Sequence, residues 1–201
     1  MSSEKLNRSG VSRISHLEKV SPSIVYRLFN PQVPVVLCSK SGKDVAAMPA
    51  NSCSSASDSP PMISVALRKK IRTNEVVRSS LRFSINWLNY EPASSRRVIL
   101  DLAKPSEKGK NRDKLREYEI PYSLVNKVPV LQNACAFAVC KVDKRISTGD
   151  HDLFIASVVS ARALRDFTRD SYWRFKDYRP ILYVGSIRQD PLITIPSDKG
   201  D

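Results

Sequence analysis

Short apolar runs that fit β-strands dominate this sequence, and no regular alternation of strand and helix patterns separates them. In residues 82–88, Phe83, Ile85 and Trp87 alternate with polar residues, which is the period-2 pattern of a half-buried strand. Strand candidates occupy residues 33–39, 45–48, 62–68, 82–88, 128–143, 153–164 and 181–187. This arrangement favours a mainly β, antiparallel barrel with peripheral helices over a parallel doubly wound sheet.

Two helices are predicted outside these runs. One covers residues 72–80, where the Thr73 hydroxyl would cap the first turn, and the other lies near residues 94–102. A chain of 201 residues suits one well-buried domain and is too short for two full ones. The predicted organisation is an N-terminal tail over 1–20, a domain over 21–195 and a C-terminal tail over 196–201.

Composition excludes some functional classes and leaves others open. No apolar stretch approaches the roughly 20 residues of a membrane span, and residues 1–19 lack the apolar centre of a secretory signal. A cytoplasmic protein is therefore expected. The net charge of +13 is compatible with nucleic acid or an anionic cofactor. Because the cations are spread along the chain and interleaved with carboxylates, a dedicated nucleic-acid groove is disfavoured.

Cysteines and common catalytic motifs give little support to other chemistry. The four cysteines form no C-x-x-C pair and only two histidines accompany them, which disfavours a zinc site. Cys38, Cys135 and Cys140 lie in apolar runs and are predicted to be small buried side chains. No Walker A, G-x-G-x-x-G or G-x-S-x-G pattern occurs.

Residues 47–61 are crowded with small and hydroxyl side chains and end on Pro60-Pro61. Small side chains allow a ligand to approach the backbone, and hydroxyls supply hydrogen bonds. The apolar run that follows ends at Arg68, and Thr73 comes five residues later, so a cation and a hydroxyl are placed where they could hold a phosphate. Taken separately, Arg68 and Thr73 also fit an ordinary strand-end cation and a helix cap.

Together these segments resemble the flavin reductase-like family, whose fold is the FMN-binding split barrel and whose members include the flavoredoxins. The resemblance runs from about residue 22 to 187, and its pieces occur in family order. They are Pro34-Val35-Val36-Leu37-Cys38-Ser39, Met48-Pro49-Ala50 with Ser57-x-x-Pro60-Pro61, Val65-Ala66-Leu67-Arg68 with Thr73, Phe83-Ser84-Ile85-Asn86-Trp87-Leu88, and Gly149-Asp150-His151-x-Leu153-Phe154.

The resemblance implies an antiparallel Greek-key split barrel with peripheral helices that forms a homodimer. It also implies FMN as cofactor, hydride transfer from NADH or NADPH to FMN, and onward electron delivery to free flavin, a partner oxygenase or another redox protein. The residues expected to hold FMN are Pro49, Ala50, Asn51, Ser52, Cys53, Ser54, Ser57, Arg68 and Thr73. His151 is expected to face the flavin or the reductant, although a histidine at a loop tip beside a strand is also compatible with a merely structural role.

Two departures from the family pattern keep a second hypothesis open. Family members carry Asn shortly before the Met-x-Ala piece, where this chain has Ala46 and Ala47, and they carry Gly and an acidic residue where it has Ala156 and Ser157. A flavoredoxin-like FMN electron carrier without NAD(P)H activity of its own is therefore the alternative. A third hypothesis is a basic nucleic-acid-binding barrel, for which the aromatic and basic segment 169–179 would stack bases. That segment also fits a sheet cover or a subunit contact.

Overall fold

The computed structural model describes residues 17–105, 113–175, 178–185 and 190–195. The chain packs as two units, one ending at Asn30 and one beginning at Pro31. In the first unit a 3₁₀ helix spans Pro22–Phe29, and its eight residues are exposed. The predicted C-terminal tail and most of the predicted N-terminal tail lie outside the described residues, and the proposed domain boundaries stay predictions.

The second unit is built on one antiparallel sheet. Its strands are β1 (Val35–Ser41), β2 (Asp44–Ala50), β3 (Cys53–Ser57), β4 (Met62–Arg68), β5 (Arg82–Trp87), β6 (Tyr122–Val125), β7 (Val128–Leu131), β8 (Ala136–Thr148), β9 (His151–Ala163), β10 (Leu182–Tyr183) and β11 (Leu192–Ile193). Its helices are α1 (Arg72–Ser80), α2 (Ala93–Ala103), α3 (Lys114–Glu117) and α4 (Arg165–Asp170). Seven strands pair in the order β2-β1-β5-β8-β9-β4-β3, while β6–β7 and β10–β11 form separate hairpins.

The alternation of side chains along β1 explains why the sheet carries apolar clusters on both faces. Val35 and Leu37 contribute to a cluster with Phe83 and Phe154, whereas Val36 and Cys38 contribute to a second cluster. Successive side chains of a strand point to opposite faces, so a continuous apolar run must be covered on both. The second cluster is completed by residues of α2, α3, the β6–β7 pair and the β10–β11 pair.

The mainly β, antiparallel fold with peripheral helices is confirmed. The bounds of β4 and α1 agree with the predicted ranges, but the single strand predicted over 128–143 is wrong. The chain turns at Gln132–Asn133, both exposed, so that β7 pairs with β6 and β8 begins a new strand between β5 and β9. The polar turn residues Gln132 and Asn133 divide the apolar run into two strands. Of the last strand predicted over 181–187, residues 186–187 lie outside the described part.

The serine-rich strand β3 was not predicted. It pairs with β4 at the edge of the sheet, where its serines are mostly exposed, so it gives no apolar alternation to read in the sequence. In the part of the chain that the structure describes, no helix is long and apolar enough to cross a membrane.

Candidate functional site

A cavity of about 970 Å³ lies where β2 and the end of β4 meet the first turn of α1 and the second half of α2. Pro49 and Asn51 line it from the end of β2, Arg68 from the end of β4, and Thr73 from α1. These four are among the ten residues predicted to form a site, and the fold brings them together from three segments of the chain. Residues of β10, β11 and α3 complete the wall.

The cavity has a cationic corner, which consists of Arg68, Lys70, Thr73 and the first backbone N–H groups of α1, and these residues all line the cavity. Neither Arg68 nor Lys70 forms an ion pair with a carboxylate of the described residues. Arg72 also lines the cavity, but its guanidinium contacts Asp44 at 2.6 Å and Glu75 at 3.4 Å. The corner therefore offers an anionic ligand two cations that are not held in ion pairs. The charge of Arg68 also helps to lower the pKa of the Asp150 carboxyl, so Arg68 interacts with that carboxylate at longer range.

The start of α1 leaves hydrogen-bond donors free beside these cations. Ile71 is the N-cap residue and provides no side-chain cap, while its carbonyl accepts from the N–H groups of Asn74 and Glu75. Among the described residues, none accepts from the N–H groups of Arg72 and Thr73. The prediction that Thr73 caps the helix is wrong, because Thr73 lies within the first turn. A helix start with free N–H groups and nearby cations is a typical anion site.

His151 stands beside this corner through the pairing of β4 with β9. Arg68 and His151 are partners in the strand register. The tip of the β8–β9 hairpin is held to the end of β4, since Lys69 donates from its backbone N–H to the Asp150 carbonyl at 3.0 Å and from Nζ to the Gly149 carbonyl at 2.6 Å. His151 is therefore the first residue of a strand, not a residue of a free loop.

The imidazole of His151 is oriented by its neighbour in the chain. Nδ1 lies 2.6 Å from Oδ1 of Asp150, and Nε2 has no hydrogen-bond partner among the described residues. This hydrogen bond lowers the pKa of the Asp150 carboxyl, so the carboxylate stays charged next to the ring. The arrangement leaves Nε2 as the ring nitrogen that is open to a ligand.

The sequence matches the family model described as the flavin reductase like domain over residues 26–183. This chain belongs to that family. The predicted family is thereby confirmed, and the family supports a flavin as the class of cofactor.

Three comparisons illustrate the relationship. An uncharacterized protein of Aeropyrum pernix is 26% identical over 86% of this chain, and the reductase component of a 4-nitrophenol monooxygenase from Rhodococcus opacus is 28% identical over 63%. This chain spans 65% of the length of each of these relatives. The crystal structure of flavoredoxin from Methanosarcina acetivorans superimposes with a TM-score of 0.74, covering 93% of this chain and 95% of flavoredoxin, at 15% identity. At that identity the similarity shows the fold.

The remaining residues predicted to hold the flavin do not line the cavity. Ala50 is buried in the first apolar cluster, and Cys53 packs against the same cluster. Burial raises the pKa of the Cys53 thiol to about 12, which leaves it a poor nucleophile. Ser52 and Ser54 are exposed and Ser57 is half-buried along the β3 edge. The predicted flavin segment therefore divides into a part at the cavity, a part in the core and an open serine edge.

Sequence reasoning missed three residues of this region, namely Lys70, Asn74 and Asp152. Asn74 is fully buried and donates from Nδ2 to Oδ2 of Asp152 at 3.1 Å and to the Leu67 carbonyl at 3.1 Å. One signal was available for Asp152. It alternates with Phe154 on the inward face of β9, and a carboxylate in that position needs a buried partner.

The aromatic segment 169–179 is separate from the cavity. Trp173 stacks between Phe167 and Tyr178, with ring centroids 4.5 and 4.1 Å away, and Tyr178 is buried. Tyr172 and Phe175 remain exposed. Residues 176–177 lie outside the described part. Whether this segment contacts a second subunit stays a prediction.

Proposed function

We propose that this protein binds FMN at the cationic corner and catalyses hydride transfer from NADH or NADPH to the flavin. The reaction consumes one NAD(P)H, one FMN and one proton and yields NAD(P)⁺ and reduced FMN. Bound FMN supplies a ring that takes up the hydride and later gives up the electrons. The single observation that carries the proposal is the pair of cations without ion pairs beside free helix N–H groups, in a family of flavin proteins.

The phosphate of FMN is assigned to the cationic corner. Arg68 and Lys70 neutralise its charge, the Thr73 hydroxyl donates a hydrogen bond, and the N–H groups of Arg72 and Thr73 point the positive end of α1 at it. Pro49 and Asn51 border the same cavity, so the rest of the flavin would extend along the end of β2 toward the β3 edge. There the backbone and the hydroxyls of Ser52, Ser54 and Ser57 provide hydrogen bonds.

His151 is proposed to act on the reductant or on the charge that develops during hydride transfer. Its ring is fixed by Asp150 through Nδ1, so Nε2 presents one defined hydrogen-bonding group. It need not act as a nucleophile, because the reaction requires only positioning and charge stabilisation from the protein.

We also propose a homodimer and delivery of reduced flavin to an oxygenase or to another redox protein, as the family and the reductase relative suggest. The cytoplasmic location stays a prediction.

The test mixes the purified full chain anaerobically with FMN and then with NADH or NADPH. We expect saturable FMN binding, followed by loss of the visible flavin absorbance on adding nucleotide. Arg68→Ala should weaken FMN binding about tenfold or more while changing riboflavin binding little, because riboflavin lacks the phosphate. His151→Ala should slow the reduction of bound flavin while leaving FMN affinity nearly unchanged.

Arg82→Ala is the matched control for Arg68→Ala, since Arg82 is also an exposed strand-end arginine and does not line the cavity. If FMN and riboflavin bind the wild-type protein equally, the phosphate assignment is wrong. If FMN binds but neither nucleotide reduces it, the alternative function applies.

That alternative is an FMN electron carrier of the flavoredoxin kind, without NAD(P)H activity. The observation in its favour is the pair Ala156 and Ser157, which stand where family members carry Gly and an acidic residue. In the structure Ala156 is buried in the first apolar cluster, and Ser157 donates to Oδ2 of Asp143 at 2.5 Å. A flavin that dithionite reduces, but that NADH and NADPH leave oxidised, would establish the carrier function.

A further inference from the structure

A buried polar pair lies directly beneath the cationic corner. Asn74 is 0% exposed and Asp152 is 3% exposed, and Nδ2 of Asn74 lies 3.1 Å from Oδ2 of Asp152. The same Nδ2 lies 3.1 Å from the carbonyl oxygen of Leu67. The two amide hydrogens of Asn74 are thus both used, one on β9 and one on β4.

Each of these three residues is the chain neighbour of a residue assigned to the proposed site. Leu67 precedes Arg68, Asn74 follows Thr73, and Asp152 follows His151. The pair therefore joins the three segments that carry the site, and Asn74 and Asp152 are 78 residues apart in the chain. A shift of Asn74 would move the first turn of α1 away from the end of β4.

A comparison with Asn86 separates this pair from an ordinary buried amide. Asn86 is also 0% exposed, and it links β1 to β7: Nδ2 donates to the Val36 carbonyl at 2.9 Å and Oδ1 accepts from the Leu131 N–H at 2.9 Å. Oδ1 of Asn74, by contrast, is buried and has no partner among the described residues. An unsatisfied buried oxygen is unfavourable for stability, and native proteins contain few such groups.

We propose that Asp152 and Asn74 are positioning residues for the phosphate of the flavin. Asp152 holds the Asn74 amide, and Asn74 fixes the start of α1 against the end of β4. The Thr73 hydroxyl and the free N–H groups then stand at a set distance from Arg68. This inference rests on the proposed function, because it assumes that the cationic corner binds the phosphate of FMN.

The test compares the affinities of FMN and riboflavin for the full-length protein, measured by quenching of flavin fluorescence. Asn74→Ala and Asp152→Ala should each weaken FMN binding about tenfold and change riboflavin binding less than about twofold. Asp152→Asn keeps an acceptor oxygen toward Asn74, so it should retain the preference for FMN. A role in stability alone would not move the ratio of the two affinities.

Asn86→Ala is the matched control, because it removes a buried asparagine of the same kind away from the cavity. It should lower the melting temperature and leave the ratio of affinities unchanged. If Asn86→Ala lowers the ratio as much as Asn74→Ala does, or if both alanine variants at the pair keep the wild-type ratio, the inference is overturned. If either alanine variant fails to fold, Asn74→Ser and Asp152→Ser provide the same comparison.

The outcome for the wild-type protein distinguishes this inference from the proposed function. A wild-type protein that binds FMN no better than riboflavin would overturn the phosphate assignment and the positioning role together. A wild-type protein that prefers FMN, with variants that prefer it equally, would overturn the positioning role and leave the proposed function standing.

Discussion

Arg68, Lys70 and Arg72 carry the same charge within five positions of the chain, yet the fold uses them differently. Arg72 is held by Asp44 of β2 and by Glu75 of its own helix. Arg68 and Lys70 form no ion pair with a carboxylate of the described residues and line the cavity, although the charge of Arg68 contributes to the lowered pKa of Asp150. The position of Arg68 after an apolar strand was visible in the sequence. The sequence did not show which of the three cations lack an ion pair, because that depends on where β2 returns beside α1.

The cysteines give a prediction at the same scale. Burial raises the pKa values of the Cys38, Cys53 and Cys140 thiols to about 12 and that of Cys135 to about 11. At pH 8 about one Cys53 thiol in ten thousand is then ionised, and only the thiolate reacts. We expect iodoacetamide to label the native protein far more slowly than the urea-unfolded protein, as counted by mass spectrometry. Rapid labelling of Cys53 in the native protein would contradict this.

At the scale of elements, α1 shows how a short helix can serve a site at one end and the fold at the other. Its first turn leaves N–H groups free at the cavity, and Val76 and Val77 anchor it in the core. Its C-terminus is closed by Leu81, which adopts a left-handed conformation with φ of 53° and donates to the Val77 carbonyl at 2.8 Å. The helix bounds were predictable from the sequence. The left-handed backbone conformation of Leu81 was not, because such positions favour glycine.

Leu81→Gly should therefore stabilise the protein. The side chain is 51% exposed, so little packing is lost, and a non-glycine residue in the left-handed region costs about 1 kcal/mol. We expect the free energy of unfolding in urea to rise by up to about 1 kcal/mol. Leu100→Gly is the matched control: Leu100 is also exposed but lies inside α2, where glycine should lower that free energy by about 1 kcal/mol. A decrease for Leu81→Gly would show that its packing outweighs the backbone strain.

The end of α2 gives a prediction on pH. Asp101 is 7% exposed and accepts from Lys104 Nζ at 2.5 Å and from Arg97 Nε at 2.8 Å. The hydrogen bond from Lys104, followed by the interaction with Arg97, lowers the pKa of the Asp101 carboxyl in the folded state. Its stabilising contribution is thus present above the unfolded pKa of about 3.9 and is lost as the pH falls through the lower, folded pKa.

Asp101→Asn should lower the free energy of unfolding at pH 7 by about 1 kcal/mol. The difference from wild type should shrink as the pH falls from about 4 toward the folded pKa of Asp101. Urea unfolding at a series of pH values measures it. A difference that stays constant down to the lowest pH would mean that the charge of Asp101 contributes nothing.

At the scale of the whole molecule, features formed by contiguous residues could be predicted from the sequence, whereas features formed by contacts between distant residues could not. Short apolar runs, one of them with a period-2 pattern, located most strands of the large sheet, and ordered motifs identified the family. The strand order β2-β1-β5-β8-β9-β4-β3 was not readable, because it depends on contacts distant in sequence. The same holds for the site: Arg68 and Thr73 were named from their spacing, whereas the Asn74–Asp152 pair required the pairing of β4 with β9. The proposed roles of Ser52, Ser54 and Ser57 rest on their hydroxyls and on the family pattern, because none of the three lines the cavity.

A prediction for the whole molecule concerns the effect of the ligand on stability. A ligand that binds only the folded state stabilises it by mass action, by about 2.7 kcal/mol at a free concentration of 100 times its Kd. We expect FMN at that concentration to raise the melting temperature of the wild-type protein. At the same FMN concentration the increase should be smaller for Arg68→Ala and unaltered for Arg82→Ala. An equal increase for all three proteins would contradict the assignment of the phosphate to Arg68.

The hydrogen bond from Lys69 to Gly149 joins residues 80 positions apart, and it holds the hairpin tip beside the cationic corner. Bringing residues this far apart into contact costs loop-closure entropy, so we expect this corner to be completed late in folding. If FMN binds at this corner as proposed, its contacts would form after the folding transition state. Such a ligand slows unfolding and leaves the rate of folding unchanged. The cofactor would thus protect the folded protein against unfolding without accelerating its folding.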